Sequence, residues 1–139
     1  MADLSITAAN VKLSGTAGAA TTKTVTFGET VTNGQAVYKK SSDGKYWLAD
    51  NDVALGAAAD VAGIALVGNS ADGVGVIVTA GPMVIGATVT DGMNYVLSST
   101  TGAIAPVADL GSSDYIVSLG HAISTTVLHV DIKNYEATV

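Results

Sequence analysis

The sequence predicts an all-β fold: a small β-barrel or sandwich made from two pseudo-repeats of short strands, with an extended N-terminal arm. Three observations carry that expectation. β-branched residues alternate with polar ones in short runs, glycine-containing turn dipeptides separate the runs, and one stretch of the chain matches another far downstream.

Taken in order, residues 4–8 (LSITA) and 11–13 (VKL) alternate apolar with polar side chains, so the arm is expected to add a strand, to its own subunit or to a neighbour's. The small-residue stretch SGTAGAATT then has the composition of a flexible connector. Further strands are expected over residues 23–27, 36–39, 46–48, 63–67, 75–79, 82–85, 94–97, 115–119 and 126–132. The one helical turn expected is 54–59, weakened by Gly56. Asn33-Gly34, Asp43-Gly44, Asp91-Gly92 and Thr101-Gly102 each place a residue that adopts positive φ freely where a tight reversal needs one.

The internal match is the most informative feature. Gly28, Thr30, Val31, Thr32, Gly34, Ser41 and Gly44 meet Gly86, Thr88, Val89, Thr90, Gly92, Ser99 and Gly102 at an offset of 58 residues. Upstream, Val25 and Phe27 fall on Met83 and Ile85. Downstream, Leu48-Ala49-Asp50 falls on Val107-Ala108-Asp109 with one residue inserted in the second copy, and Gly63-Ile64-Ala65 falls on Gly120-His121-Ala122 at an offset of 57. A period this long is a supersecondary unit that leaves an apolar face uncovered until its partner packs on it. The expected organisation is an arm and connector over residues 1–22, then one β domain over 23–139 made of copies 23–80 and 81–139.

At 139 residues the chain can bury roughly 68% of its unfolded surface, enough for a core without staples. There is no cysteine, so packing and sheet pairing carry the stability. Twelve carboxylates stand against six lysines, and arginine, the residue best suited to bidentate phosphate or guanine contacts, is absent. Nucleic acid is therefore not an expected partner. No apolar run approaches the roughly 20 residues that cross a bilayer, and no secretory leader is legible at the N-terminus, so a soluble chain made in the cytoplasm is expected, with no membrane partner.

Catalytic and metal signatures fail one by one. His121 and His129 are the only imidazoles, and their spacing matches no metal motif. Ser118, His121 and Asp114 can be assembled as a triad on paper, but no serine sits in a nucleophile elbow. The Gly73–Gly75 region lacks the third glycine and the lysine of a phosphate loop. Asp50-Asn51-Asp52 begins like a calcium loop but continues with Ala54, Leu55 and Val61 where oxygen, glycine and glutamate are needed, so solvated loop carboxylates are expected. The expectation is a non-enzyme with no cofactor and no metal. Tyr46 and Trp47 are adjacent on one strand and must point to opposite faces, so one enters the core and the other is free to mark an interface.

The arm ending in GTA, the pattern G-x-x-V-x-x-G-x-x-V-Y from Gly28 to Tyr38, the phrase DGKYWLAD, and the closing YVLSSTTGAIAPVAD and SLGHAISTTVLHVDI together resemble the head decoration, or cement, proteins of tailed bacteriophages. The resemblance spans about residues 22–132. It implies a β-rich structural virion protein, usually a homotrimer, that sits on the outer surface of an assembled capsid and bridges neighbouring major capsid protein subunits against internal pressure. On that reading the candidate capsid or subunit contacts are Leu4, Ile6, Val11 and Leu13 of the arm, through strand addition, together with Tyr46 and Trp47. The alternative is a receptor-binding or glycan-binding module of a phage fibre or tail, which shares the same glycine-punctuated β style.

Overall fold

The computed structural model describes residues 3–14, 19–51, 58–111 and 114–138. The chain is all-β. Its strands are β1 (Lys12–Leu13), β2 (Thr21–Thr26), β3 (Ala36–Lys39), β4 (Tyr46–Leu48), β5 (Val61–Val67), β6 (Val74–Val84), β7 (Asn94–Leu97), β8 (Ile104–Pro106), β9 (Tyr115–Ala122) and β10 (Val127–Thr138). They form one curled antiparallel sheet in the order β4-β3-β5-β6-β10-β9-β7-β8, with β1 and β2 both pairing β6. Among the described residues no helix is long and apolar enough to cross a membrane.

That order is a palindrome once the copies are matched, β4-β3-β5-β6 against β8-β7-β9-β10. The match holds to the residue. Val37 pairs with Leu48 on one side and Gly63 on the other, and Tyr95 pairs with Pro106 and Gly120. Both copies skip one residue at the same place, Ala62 in the first and Leu119 in the second, which bulges each strand. The glycine beside each bulge has a steric reason. A Cβ on Gly63 would press on the Val78 carbonyl, and one on Gly120 would collide with the His129 carbonyl.

The packing repeats as well. One core cluster holds Val25, Phe27, Val31, Val37, Tyr46, Ala65 and Ile77. The larger cluster contains their counterparts Met83, Ile85, Val89, Tyr95, Ile104, Ala122 and Leu128. Each copy thus wraps its strands around its own apolar filling, where a fully buried Phe, Leu or Ile side chain contributes about 1.5–3 kcal/mol. The larger cluster also takes in Ala36, Ile64 and Val78 from the opposite face of the first copy, which joins the two halves.

How each copy closes is where they differ. In the first, a parallel bridge between Phe27 and Tyr46, with the Gly28 amide donating to the Tyr46 carbonyl at 2.9 Å, ties β4 back to the end of β2 and completes a ring β2-β6-β5-β3-β4. The second half of β6 plays the part of β2 in the second copy, so the corresponding bond would run from Gly86 to Ile104. Instead the arm stands in that gap. The Leu4 amide donates to the Ile104 carbonyl at 2.8 Å, the Thr7 amide donates to the Gly86 carbonyl at 2.8 Å, and β1 pairs with Val84 and Met83. Val11 is buried, and Leu4 and Ile6 pack against the same core.

Several expectations are adjusted by these contacts. Residues 4–8 are not a strand. The segment makes isolated hydrogen bonds to two separated carbonyls rather than a ladder, and then turns through a 3-10 turn, Ala8–Asn10. β2 begins at Thr21, inside the expected connector, of which residues 15–18 lie outside the described residues. The strands expected over 75–79 and 82–85 are one, β6. Gly81-Pro82 marks not a break but the point where the strand changes partners, with β2 and β5 before it and β10 and β1 after. β8 was not expected, and it shows that Leu48 corresponds to Pro106 rather than Val107, so the offset of 58 residues runs on through this strand with no inserted residue. The helical turn expected over 54–59 falls mostly outside the described residues.

Candidate binding surface

The phrase DGKYWLAD forms the tip and return strand of the β3–β4 hairpin. Asp43 accepts from the Lys45 amide at 2.9 Å, which shapes the turn before Gly44 takes φ 70°. Alternation then decides the aromatics. Tyr46 points inward and is 5% exposed in the first copy's core, while Trp47 points outward, half-buried, directly across from Tyr38.

One residue faces the indole across the hairpin, and three contacts hold it. Its Nε1 donates to Asp43 Oδ2 at 3.1 Å, Lys40 Nζ lies 4.3 Å from the ring centre, Tyr38 stands opposite, and Gly28 leaves the space the ring occupies, since a Cβ there would overlap it. Around this plate are Glu29, whose carboxylate accepts from the Leu48 amide at 3.0 Å, and the Lys45–Asp72 ion pair. Lys45 is held above the usual lysine range by its hydrogen bond to Asp72 and that group's charge. Burial, followed by the charges of Glu29 and Asp43, pushes the Tyr38 phenol up. Lys23, Lys39, Lys40 and Lys45, four of the six lysines, lie on this copy; Lys40 stands over Trp47 and Lys45 pairs with Asp72, whereas Lys23 lies 5.6 Å from the ring of Tyr46.

Nothing comparable exists on the second copy. The positions of Tyr38, Lys40, Lys45 and Trp47 are there Val96, Ser98, Ala103 and Ala105. Val96, Ser98 and Ala105 are buried, and the Ser98 hydroxyl donates to Asp3 of the arm. The matched positions of the two halves therefore differ, outward around Trp47 in the first and covered in the second.

The remaining sequence candidates are distributed as follows. Val11, 7% exposed, and Tyr46 are committed to the chain's own core. Leu4 and Ile6 are half-committed to it, and Leu13, 42% exposed, is the one of the four arm candidates most open to solvent. Asp50 and Asn51 are not solvated loop groups. Asp50 is buried and accepts from Thr101 Oγ1 at 2.8 Å, and Asn51 donates to the Leu97 carbonyl at 2.9 Å, so both tie the first copy to the second; Asp52 lies outside the described residues. Ser118 donates to Asn94 at 3.2 Å. His121 and His129 sit directly opposite each other on β9 and β10, a pairing that sequence analysis overlooked although the two residues are equidistant from Thr125 in the hairpin. Among the described residues no group of three or more His, Cys, Asp or Glu is placed to hold a metal ion. Two shallow concavities flank the arm, one beside Thr88 and one beside Gln35, and neither is lined by a titratable side chain.

No family model and no curated protein matches this chain. Its function has to be argued from the surface.

Trp47 is the only tryptophan, so its fluorescence reports this plate alone. The amide of Lys45 above all, with the Trp47 N–H and the charges of Lys40 and Lys45, keeps Asp43 below the usual Asp range against the opposing effect of desolvation. A depressed folded value means that the contact is intact above the unfolded value, about 3.9, and is lost as pH falls through the folded one. We expect the emission of Trp47 to shift with a midpoint below that of free Asp, and Asp43→Asn to remove the transition. A midpoint at or above the ordinary value would contradict the geometry.

Proposed function

We propose that the chain is a structural virion protein that binds the outer surface of an assembled phage capsid and bridges major capsid protein subunits, as a homotrimer, with Trp47 and Tyr38 at the contact. The observation that carries this reading is that DGKYWLAD, a central phrase of the resemblance to head decoration proteins, is the segment that turns an aromatic plate outward. Partly exposed Trp and Tyr held in one geometry lose little conformational freedom on docking, which is why such residues dominate the energetics of interfaces. The weakly charged, arginine-free surface supports an outward position, away from packaged nucleic acid. Several modest contacts across neighbouring subunits would then add through multivalency.

The test is binding of purified protein to expanded capsids that lack it. Sedimentation with the capsids and a rise in their melting temperature are expected, and Trp47→Ala should weaken attachment by at least roughly tenfold, the size of a modest hot spot. Failure to bind, together with retention on a glycan array, would favour the fibre or tail module instead.

A further inference from the structure

We propose that His121 and His129 form a two-imidazole site for a divalent transition-metal ion of the zinc, nickel or copper class, on the open face of the second copy. The residues are direct cross-strand partners on β9 and β10, and their ring centres lie 5.5 Å apart at a tilt of 44°. A metal held about 2.0–2.1 Å from one nitrogen of each ring at a near-tetrahedral angle places the two ring centres about 5 Å apart. The observed spacing therefore needs only a small side-chain adjustment to chelate. His121 is exposed and His129 half-buried, so both rings are within reach of solvent and the remaining coordination positions are open to water or to a donor from a partner.

The duplication supplies a second, independent argument. The same two positions in the first copy are Ile64 and Val78, also direct partners, and both are fully buried in the core that joins the halves. The architecture itself thus has no need for imidazole at this point of the sheet, and ordinary aliphatic packing satisfies it. In the second copy the equivalent face is uncovered, and the chain's only two histidines stand on it side by side. Asn94 lies opposite His121 on β7, and Asp131, exposed two places along β10 from His129, is paired with Lys133 at 3.6 Å, so the pair leaves the local charge balanced. Neither is required as a ligand.

Zinc titrated calorimetrically into the intact protein, at mildly alkaline pH where free imidazole is neutral, should give saturable binding of one ion per chain. His121→Gln and His129→Gln should each weaken it by at least the roughly tenfold loss that removing even an outer-shell partner causes. Circular dichroism checks that both variants fold, and the imidazole proton resonances of the wild-type protein should shift on zinc addition while those of Tyr46 do not. Absence of saturable binding, binding unchanged in either variant, or shifts that spare the imidazoles would overturn the assignment.

Discussion

Gly120→Ala is expected to cost about 3 kcal/mol or more, a large share of the 5–15 kcal/mol by which a domain of this kind is stable. Two costs add at this residue. Its φ of 145° is one that L side chains rarely adopt, and a Cβ would run into the His129 carbonyl, a backbone atom fixed by the β9–β10 ladder that cannot swing aside as a side chain could. Gly92→Ala is the matched control. Gly92 has φ 81°, yet nothing lies within 4 Å of the added carbon, so only the left-handed backbone penalty of about 1–2 kcal/mol applies. Urea unfolding of the two variants measures the difference. Equal losses would mean that the bulge beside Leu119 relaxes freely and that the glycine matched between the copies has no packing reason.

That contrast also explains why the repeat was legible in the sequence. Pairs such as Gly34 with Gly92 and Gly44 with Gly102 are held by positive φ, and Gly63 with Gly120 by contact with a neighbouring carbonyl, so each copy had to keep them. Strands β3 and β7 were bounded correctly because turn dipeptides stand on either side of them, and β4 because Asp43-Gly44 stands just before it. Strand β8 was missed because three residues ending in Pro106 give too short an alternation to register, and its existence rests on pairing with β7. The unbroken course of β6 was hidden by Gly81 and Pro82. Those residues mean a turn in an isolated hairpin, but here they serve a strand that hands over from one copy to the other.

The candidate surface was legible only in part. Adjacency fixed that Tyr46 and Trp47 face opposite ways, but which of them is buried depends on closure. Tyr46 bridges Phe27 inside the ring, and that leaves Trp47 the outer face over Gly28. Lys40 and Asp43 could not be assigned to the indole from sequence because their contacts depend on how the hairpin tip folds over. The histidines were weighed singly against metal motifs that require three or four ligands along the chain. A hairpin brings two together across strands, and the signal that could have found them was their symmetry about the turn.

The arm carries the second large effect, and there the structure redirects the expectation drawn from sequence. An arm that served only to tether the protein would be dispensable to the fold, and its removal would cost attachment alone. Here its amides at Leu4 and Thr7 occupy the carbonyls of Ile104 and Gly86, the two ends of the gap that the first copy closes with its own Gly28–Tyr46 bond. Deleting residues 1–13 would uncover that gap, remove Val11 from the core and strip Leu4 and Ile6 from its edge. Burial of a Val side chain contributes about 1.5–3 kcal/mol and the two partly buried residues a comparable amount together, so a loss of about 3–5 kcal/mol is expected. It should appear as a lower urea midpoint and as faster amide exchange in β7, β8 and β9, while β3, β4 and β5 change less. Adding back a peptide of residues 1–13 in excess should restore part of the midpoint, since a ligand that binds only the folded form stabilises it by mass action. An unchanged midpoint after deletion would show that the second ring holds without its borrowed stave and would return the arm to the role of a free tether.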